Sequence, residues 1–180
     1  RSRGLGGVYK RQAPNNETLI SFFGIRNIQT SIDVISDLKN RGYKLKIILI
    51  GKTYNLPKIL PNDTIRTGVL NIDEIDKFCK VSDIFILPQD NVYGCSFKSG
   101  SFVTGLRNAL PVITTKGKMT STILEDKKNI LFVNFENKEE IKKALLFLLN
   151  NPSTILKIGK EAQNIAKDFS WEETYKKYNN

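Results

Sequence analysis

The sequence predicts an α/β fold in which a parallel sheet carries helices on both of its faces. Apolar runs such as 19–25 and 44–51 are continuous rather than alternating, which is typical of strands that are covered on both faces. Segments with helical periodicity separate these runs, so neighbouring strands need crossover connections and run parallel. No internal repeat or low-complexity segment interrupts this order. We therefore expect a doubly wound parallel sheet.

Six strands and a similar number of helices are expected. The strands are predicted at 19–25, 44–50, 64–68, 83–88, 111–115 and 130–134. The helices are predicted at 31–42, 71–82, 100–109, 137–150 and 153–168, with a further helix beginning near Trp171 and a short helical turn near 120–126.

The strands are recognised by apolar runs of strand length. "LISFFGI" (19–25) and "KLKIILIG" (44–51) each run into a glycine, and "TIRTGVL" (64–70) is a weaker example of the same pattern. "DIFILP" follows at 83–88. The later strands, "PVITT" and "NILFVNF", are rich in β-branched and aromatic residues.

The helices are recognised by spacing and by their end signals. The helix at 31–42 places Ile32, Ile35 and Leu38 on one face and closes with Gly42. The helix at 71–82 begins at Asn71, a favourable N-cap. Its first turn holds acids, which the helix dipole favours at that end.

A ligand site is expected at one edge of this sheet. In doubly wound sheets, ligands bind beyond the carboxyl ends of the strands. In this chain that edge is formed by the loops at Gly24, Gly51 and Gly68 and by residues 88–100.

Composition excludes several classes of function. The 180 residues are 40% hydrophobic, enough to bury the core of a domain, and no apolar run is long enough to span a membrane. Histidine is absent, and Cys79 and Cys95 have no CxxC spacing, so histidine-dependent triads and zinc ribbons are excluded. No metal site is predicted.

The basic charge is not read as a nucleic-acid signal. Residues 1–12, "RSRGLGGVYKRQ", hold four of the 28 basic residues and no acid. Removing those four leaves 24 basic and 18 acidic residues, a net charge of +6, and the lysines are scattered rather than clustered. We therefore expect a solvated basic surface and no nucleic-acid partner.

The first twelve residues are interpreted as a non-native or disordered leader. Apart from Gly7 in place of Asp, "GVYKRQ" looks like the translated end of a sequencing-library transposon. The alternative is a glycine-rich phosphate loop at "GLGG", although no strand precedes it and no helical pattern follows. With the leader set aside, residues 13–180 form the expected domain.

The stretch "YGCSFKSGS" has the parts of a phosphate cradle. Helix N-termini carry free N–H groups and partial positive charge, so a lysine such as Lys98 beside one is mildly unfavourable unless an anion lies between them. The serines of the turn add hydroxyl donors, and its glycines allow a backbone to approach a ligand closely. A serine N-cap with a solvated lysine is the equally weighted alternative.

The order of motifs resembles the C-terminal half of the group 1 retaining glycosyltransferases of GT-B fold. The similarity runs from about residue 19 to the end and rests on "SDIFILP", a glycine-containing turn into a helix, "LPVITT", "ILEDKKNILFV" and "FSWEETYKKY". The resemblance implies a two-domain enzyme whose C-terminal Rossmann-like domain binds a nucleotide-activated sugar. The N-terminal domain, which would bind the acceptor, is missing from this chain.

The donor motif departs from the family pattern. Counting back from Pro111, the two usual glutamates fall on Ser96 and Thr104, and the usual glycine is Ala109. "SFKSGS" is instead similar to a subset of these proteins that carry a Ser-x-basic-basic-Gly-Ser/Thr turn, in which Lys98 would take over the diphosphate charge. Ser99 departs even from that pattern.

Other positions are also altered. Where the family has Arg and Lys after the first strand, alignment on Gly24 gives Ile25 and Thr30, with Arg26 one place away. The resemblance implies these donor-binding residues: Gly24, Arg26, Val69, Leu70, Ser96, Lys98, Ser99, Gly100, Ser101 and Thr104. Of these, Val69 and Leu70 are where the family holds the base. No catalytic acid or base is assigned.

The resemblance implies a glycosyltransferase fragment of a cell-surface polysaccharide pathway, inactive by itself. Its partners would be a nucleotide-sugar donor and, through the missing domain, a glycan or lipid-linked acceptor, with no cofactor. A cytoplasmic location is implied, with peripheral association with the inner membrane surface left open. Two alternatives remain: a non-catalytic relative that has lost the glutamates, and a flavodoxin-like or receiver-type regulatory domain, disfavoured because the early strands of a receiver would end in acids.

Deletion of residues 1–12 should leave the free energy of unfolding unchanged within about 0.5 kcal/mol, because exposed termini away from a core contribute little. Denaturant unfolding of the full and shortened chains measures this. A larger loss of stability would show that the leader belongs to the fold.

Overall fold

The fold is described from a computed structural model, which covers residues 17–24, 27–52, 56, 59–167 and 169. Three predictions lie outside these residues: the leader at 1–12, the assignment of Arg26 to the donor site, and the helix near Trp171.

The described part of the chain mixes strands and helices, with two strands in succession within 45–66 and again within 112–132, and two helices in succession at the end. In chain order the elements are β1 (Thr18–Phe23), α1 (Gln29–Asn40), β2 (Leu45–Ile50), β3 (Ile65–Arg66), α2 (Ile72–Val81), β4 (Ile84–Leu87), α3 (Gly100–Arg107), β5 (Val112–Thr114), β6 (Leu131–Phe132), α4 (Lys138–Leu149) and α5 (Pro152–Lys167).

The six strands form one sheet in the order β3-β2-β1-β4-β5-β6, and every pair of neighbouring strands is parallel. This confirms the predicted α/β class. The pairing of β1 with β2 is the longest and runs from Thr18 opposite Leu45 to Phe23 opposite Ile50. Just past the ends of β2 and β3, an isolated antiparallel bridge joins Gly51 to Gly68.

Alternate residues of the strands pack into two separate cores, one on each face. In β2, Ile47 and Leu49 join a core with α1 and α4, whereas Ile48 and Ile50 join a second core with α2, α3 and α5. All four side chains are almost fully buried. Because a strand turns successive side chains to opposite faces, a continuous apolar run is what a sheet covered on both faces requires.

The edge strand β3 is much shorter than predicted. Only Ile65 and Arg66 pair with β2, and both are exposed. Nearby apolar side chains are exposed as well, with Ile59, Val69 and Ile72 each more than three-quarters accessible. No helix lies between β2 and β3 in the described part of the chain. The weak pattern at 64–70 thus corresponds to a minimal edge strand with exposed side chains.

The helical turn predicted near 120–126 is wrong, because this segment consists of irregular turns. The backbone N–H of Leu124 donates to the carbonyl of Ser121. The side chain of Asn129 then bonds the backbone groups on either side of Leu124. It accepts from the N–H of Glu125 at 2.9 Å and donates to the carbonyl of Ile123 at 3.0 Å. These side-chain bonds compete with helix propagation.

Helix α2 begins as predicted. The Asn71 side chain accepts a hydrogen bond from the N–H of Glu74, and the Glu74 carboxylate accepts one from the N–H of Asn71, both at 2.9 Å. This reciprocal capping box satisfies two N–H groups that a helix end leaves unpaired. Cys79, on the inner face of α2, is fully buried.

Ala109 has a backbone conformation that favours glycine. Its φ is +54°, in the short connection between α3 and β5. The Cβ of an L-residue crowds the backbone in this left-handed region, which costs roughly 1–2 kcal/mol. The sequence comparison with the family had already marked this position as a lost glycine.

Replacing Ala109 with Gly should raise the free energy of unfolding by roughly 0.5–1 kcal/mol, because relief of the left-handed strain exceeds the entropy that glycine adds to the unfolded chain. Chemical denaturation measures the change. Ala144→Gly, in the middle of α4, is the matched control and should destabilise the protein by about 1 kcal/mol or more. Equal losses in both variants would contradict the strain argument.

Candidate functional site

A crevice is expected where the strand order reverses. The chain builds β1, β2 and β3 outward in one direction and then returns to place β4 on the other side of β1. Helix α1, which follows β1, packs on one face of the sheet, and α3, which follows β4, packs on the other. The loops after β1 and β4 therefore leave the carboxyl edge of the sheet toward opposite faces, and a crevice is expected between them. Doubly wound folds bind ligands at this position.

Two of the predicted site residues meet at this reversal. Gly24, which ends β1 with φ of +75°, lies against Ser101 in the first turn of α3. A Cβ placed on Gly24 would lie 2.5 Å from the Ser101 hydroxyl oxygen, closer than atoms pack. The predicted turn at 98–101 thus contacts the residue that follows β1 through the side chain of Ser101.

Helix α3 begins at Gly100 with Ser99 as its N-cap. The Ser99 hydroxyl oxygen accepts a hydrogen bond from the N–H of Phe102 at 3.3 Å, so the predicted serine N-cap is present. Within the described residues, the backbone N–H groups of Gly100 and Ser101 donate to no protein acceptor. The first turn of α3 also holds no acid. The start of this helix is therefore an uncompensated positive end.

Lys98 adds a full positive charge beside that helix end. It is exposed, and none of the ion pairs formed among the described residues includes it. Its backbone N–H donates to the Ser96 hydroxyl oxygen at 3.2 Å, which shapes the turn from Ser96 to Ser99. The lysine is thus held close to the helix start by its backbone while its ammonium group stays solvated.

The remaining predicted residues lie on neighbouring elements. Thr104 is half-buried one turn into α3, and its hydroxyl donates to the carbonyl of Gly100 at 2.8 Å. Val69 and Leu70 lie just before α2, which is tied to α3 by a bond from the Asn108 amide to the Asp76 carboxylate at 3.0 Å. Val69 is 77% exposed, and Leu70 packs against the second core.

Sequence reasoning missed the contact that fixes the start of the turn. Gly94, before the turn, and Gly117, after β5, cross so closely that a Cβ on either would overlap the backbone of the other. The N–H of Cys95 donates to the carbonyl of Thr115 at 2.9 Å, and the N–H of Met119 donates to the carbonyl of Tyr93 at 2.9 Å. These bonds join the loops after β4 and β5 into one unit. In the sequence, Gly94 and Gly117 were the residues that could have indicated this close crossing.

The cysteine beside the turn is not a nucleophile. Cys95 is fully buried, and burial raises the pKa of its thiol to about 11, so the thiol is protonated at neutral pH. Its sulfur lies 3.8 Å from the Thr120 hydroxyl. Cys95 therefore acts as a packed side chain that helps to hold the joined loops.

A separate concavity lies at the carboxyl ends of β5 and β6. Its volume is about 310 Å³, and it is lined by Asn91, Thr115, Lys116, Phe132, Val133, Asn134 and Glu140. None of the predicted donor-binding residues lines it. The Lys116 ammonium lies 5.8 Å from the centre of the Phe132 ring, while Asn134 and Glu140 are engaged in hydrogen bonds near the start of α4. The crevice above β1 and β4 and this concavity are thus distinct places on the same edge.

The chain belongs to the family described as glycosyl transferases group 1, whose pattern matches residues 21–165. This confirms the resemblance seen in the sequence. The matched region contains β1 to α5 almost completely, including the crevice and the turn at 96–101.

Known relatives agree with this assignment. An uncharacterized glycosyltransferase of Methanocaldococcus jannaschii is 26% identical over 164 residues, which cover 84% of this chain and 44% of that protein. The C-terminal domain of a group 1 glycosyl transferase from Francisella tularensis has a similar fold, with a TM-score of 0.67 and 16% identity over 84% of this chain and 85% of that one. The chain spans less than half the length of the curated relative.

A second similar structure contains a ligand. Anabaena HepE, determined in complex with UDP-glucose, matches with a TM-score of 0.64 and 13% identity, over 85% of this chain and 44% of that protein. At this identity the likeness shows the shared fold. The α/β domain described above is thus the fold of the C-terminal domain of GT-B glycosyltransferases.

Replacing Gly117 with Ala should separate the joined loops, because the new Cβ would overlap backbone atoms of Tyr93 and Gly94 that cannot rotate away. We expect a loss of roughly 1–3 kcal/mol in the free energy of unfolding, the usual cost of overpacking. Gly100→Ala is the matched control, since a Cβ there meets nothing within 4 Å. Thermal and denaturant unfolding of both variants tests this, and equal stability would disprove the close crossing.

Proposed function

We propose that this chain is the donor-binding half of a glycosyltransferase that transfers a sugar from a nucleotide-activated donor. The observation that carries the proposal is an unneutralised positive site at the start of α3: Lys98 without an ion-pair partner among the described residues, beside the free N–H groups of Gly100 and Ser101. A positive site without a protein counter-ion is suited to an anionic ligand. The diphosphate of a nucleotide sugar has that chemistry.

The site would act on the leaving group. When the bond between sugar and diphosphate breaks, negative charge builds up on the diphosphate oxygens. Lys98 and the start of α3 would stabilise that charge through groups already in position, which is an effective form of transition-state stabilisation. No side chain of this chain is assigned as a general acid or base.

The other proposed contacts follow from position. The hydroxyl of Ser101 lies at the crevice against Gly24, and those of Ser96 and Ser99 flank Lys98. Thr104 already donates its proton to Gly100, so its oxygen is left to accept a hydrogen bond from a ribose hydroxyl. We place the base near Val69 and Leu70. Arg26 remains a proposed diphosphate contact.

The complete enzyme would need a second half. Because this chain spans 44% of its relative's length, we propose that a further domain binds the acceptor, a glycan or a lipid-linked sugar. The described part of the chain has no helix of the length and apolarity needed to cross a bilayer. We propose a cytoplasmic enzyme whose membrane contact, if its acceptor is lipid-linked, is peripheral.

The similar fold of HepE suggests a first probe. That protein was determined with UDP-glucose, so UDP-glucose is a reasonable donor to test, beside a guanosine diphosphate sugar for comparison. Binding of either by the full-length protein would support a donor site, and the preference would identify the nucleotide.

A non-catalytic, donor-like binding domain is the second candidate. The observation in its favour is that Ser96 and Thr104 stand where the family has glutamates, so contacts to the donor sugar's hydroxyls that depend on carboxylates are lost. Sugar transfer by the full-length protein, assayed as nucleotide release, separates the two candidates. Binding without turnover, with every acceptor class tried, would favour the non-catalytic alternative.

Replacing Lys98 with Ala in the full-length protein should weaken donor binding by roughly 1–3 kcal/mol, about 5- to 150-fold in Kd, the scale of one charge-assisted contact. Folding should be unaffected because the side chain is exposed. Calorimetric titration with UDP-glucose measures the change.

Lys160→Ala is the control for a general loss of positive charge, since Lys160 is exposed on α5. The Lys160→Ala variant should bind the donor with the same affinity as the unmodified protein. Unchanged affinity in Lys98→Ala, or unfolding of that variant, would overturn the assignment.

A further inference from the structure

The turn at 96–99 contains an aromatic residue that the donor site does not use. Phe97 lies between Ser96 and Lys98 and is half-buried. On one side its ring meets that of Phe102 edge-on, with centroids 5.5 Å apart and planes at 63°. On the other side it stacks on Phe169, with centroids 3.7 Å apart and planes at 6°. The ring is thus held from two directions.

The two partners of Phe97 belong to different parts of the fold. Phe102 is fully buried in α3 and is fixed by the second core. Phe169 comes just after the end of α5, where its backbone N–H bonds the carbonyl of Ala166 at 3.2 Å, and it is 38% exposed. Phe97 therefore connects the turn to the core and to the end of α5.

Helix α5 is itself fixed to the far end of α3. The Gln163 amide donates to the carbonyl of Arg107 at 2.9 Å, and Gly159 lies directly against the Ala109 carbonyl. Helix α5 thus contacts the last residue of α3 through Gln163 and the connection after it through Gly159, while Phe169, just past α5, contacts the turn before α3. The end of α5 is therefore held in a fixed position next to the turn.

We propose that Phe169 is a positioning residue for the donor turn. Its ring fixes Phe97, and Phe97 fixes the backbone that places Lys98 next to the free N–H groups of Gly100 and Ser101. Phe169 itself touches no donor. The proposal extends the proposed function, since it concerns how that same site is held in its binding geometry.

The remaining restraints on the turn explain why the stack matters. At its two ends the turn is joined to α3 by the bonds that Ser99 accepts from the N–H groups of Phe102 and Val103, and to the loop after β5 by the bond from the Cys95 N–H to the Thr115 carbonyl. Between these ends, the described hydrogen bonds run from the Lys98 N–H to the Ser96 hydroxyl and from the Ser99 N–H to the Ser96 carbonyl, both within the turn. The Phe97–Phe169 stack joins the middle of the turn to the end of α5, and such aromatic pairs contribute a specific stabilisation beyond the area that they bury.

The test uses Phe169→Ala in the full-length protein, read by hydrogen–deuterium exchange of peptides that cover 96–103. We expect exchange there to become about two- to tenfold faster, the range that one lost aromatic pair gives. UDP-glucose binding should weaken by a similar factor. Phe169→Tyr, which keeps the ring, should restore both.

Phe147→Ala is the matched control, because Phe147 is a partly exposed aromatic residue on α4 that faces Lys127. It should leave exchange at 96–103 unchanged. Unaltered exchange at 96–103 in Phe169→Ala overturns the proposal, and so does an equal rise across the whole domain, which indicates general destabilisation. If the unmodified protein binds neither nucleotide sugar, the donor function fails while the exchange measurement still decides the positioning role.

Discussion

The reversal of strand order at β1 is the constraint on which the site depends. Parallel strands need crossovers, and crossovers of one hand place α1 and α3 on opposite faces of the sheet once the chain returns to β1. The connections that follow β1 and β4 must then diverge above two adjacent strands. The proposed anion site depends on this divergence and on the absence of an acid from the first turn of α3.

The turn at 96–101, proposed as the donor site, combines a fixed backbone with an ammonium group that forms no ion pair among the described residues. Three packing contacts hold the backbone: Gly24 against Ser101, Gly94 across Gly117, and Phe97 between its two aromatic neighbours. The ammonium group of Lys98 remains in water. A site built in this way loses little chain entropy when a ligand binds, so more of the charge interaction remains as affinity. It also tolerates some variation in the ligand's position, because a lysine side chain can follow it.

Most of the fold could be predicted because local pattern and global structure agree. Continuous apolar runs, helical faces such as that of Ile32 and Ile35, and the cap at Asn71 each point to the element that formed. The failure at 120–126 has a local cause that periodicity does not reveal, since the Asn129 side chain takes the hydrogen bonds that a helix would use.

The site was less predictable than the fold. The turn itself was visible in the residue types of "SFKSGS", but what holds it was not. The crossing of Gly94 with Gly117 and the stacking of Phe97 on Phe169 join segments that are distant in sequence, and only the completed sheet brings them together. Arg26, which sequence reasoning added to the site, stays a prediction.

The short strand β3 has a consequence for handling the protein in solution. A sheet edge offers unpaired N–H and C=O groups to other chains, but β3 is only two residues long and includes the charged Arg66, which limits such pairing. The exposed apolar side chains of Ile59, Val69 and Ile72 lie beside it. Association of copies at high concentration should therefore depend on these side chains rather than on strand pairing, and a charged substitution at Ile59 is the simplest way to keep a sample monodisperse.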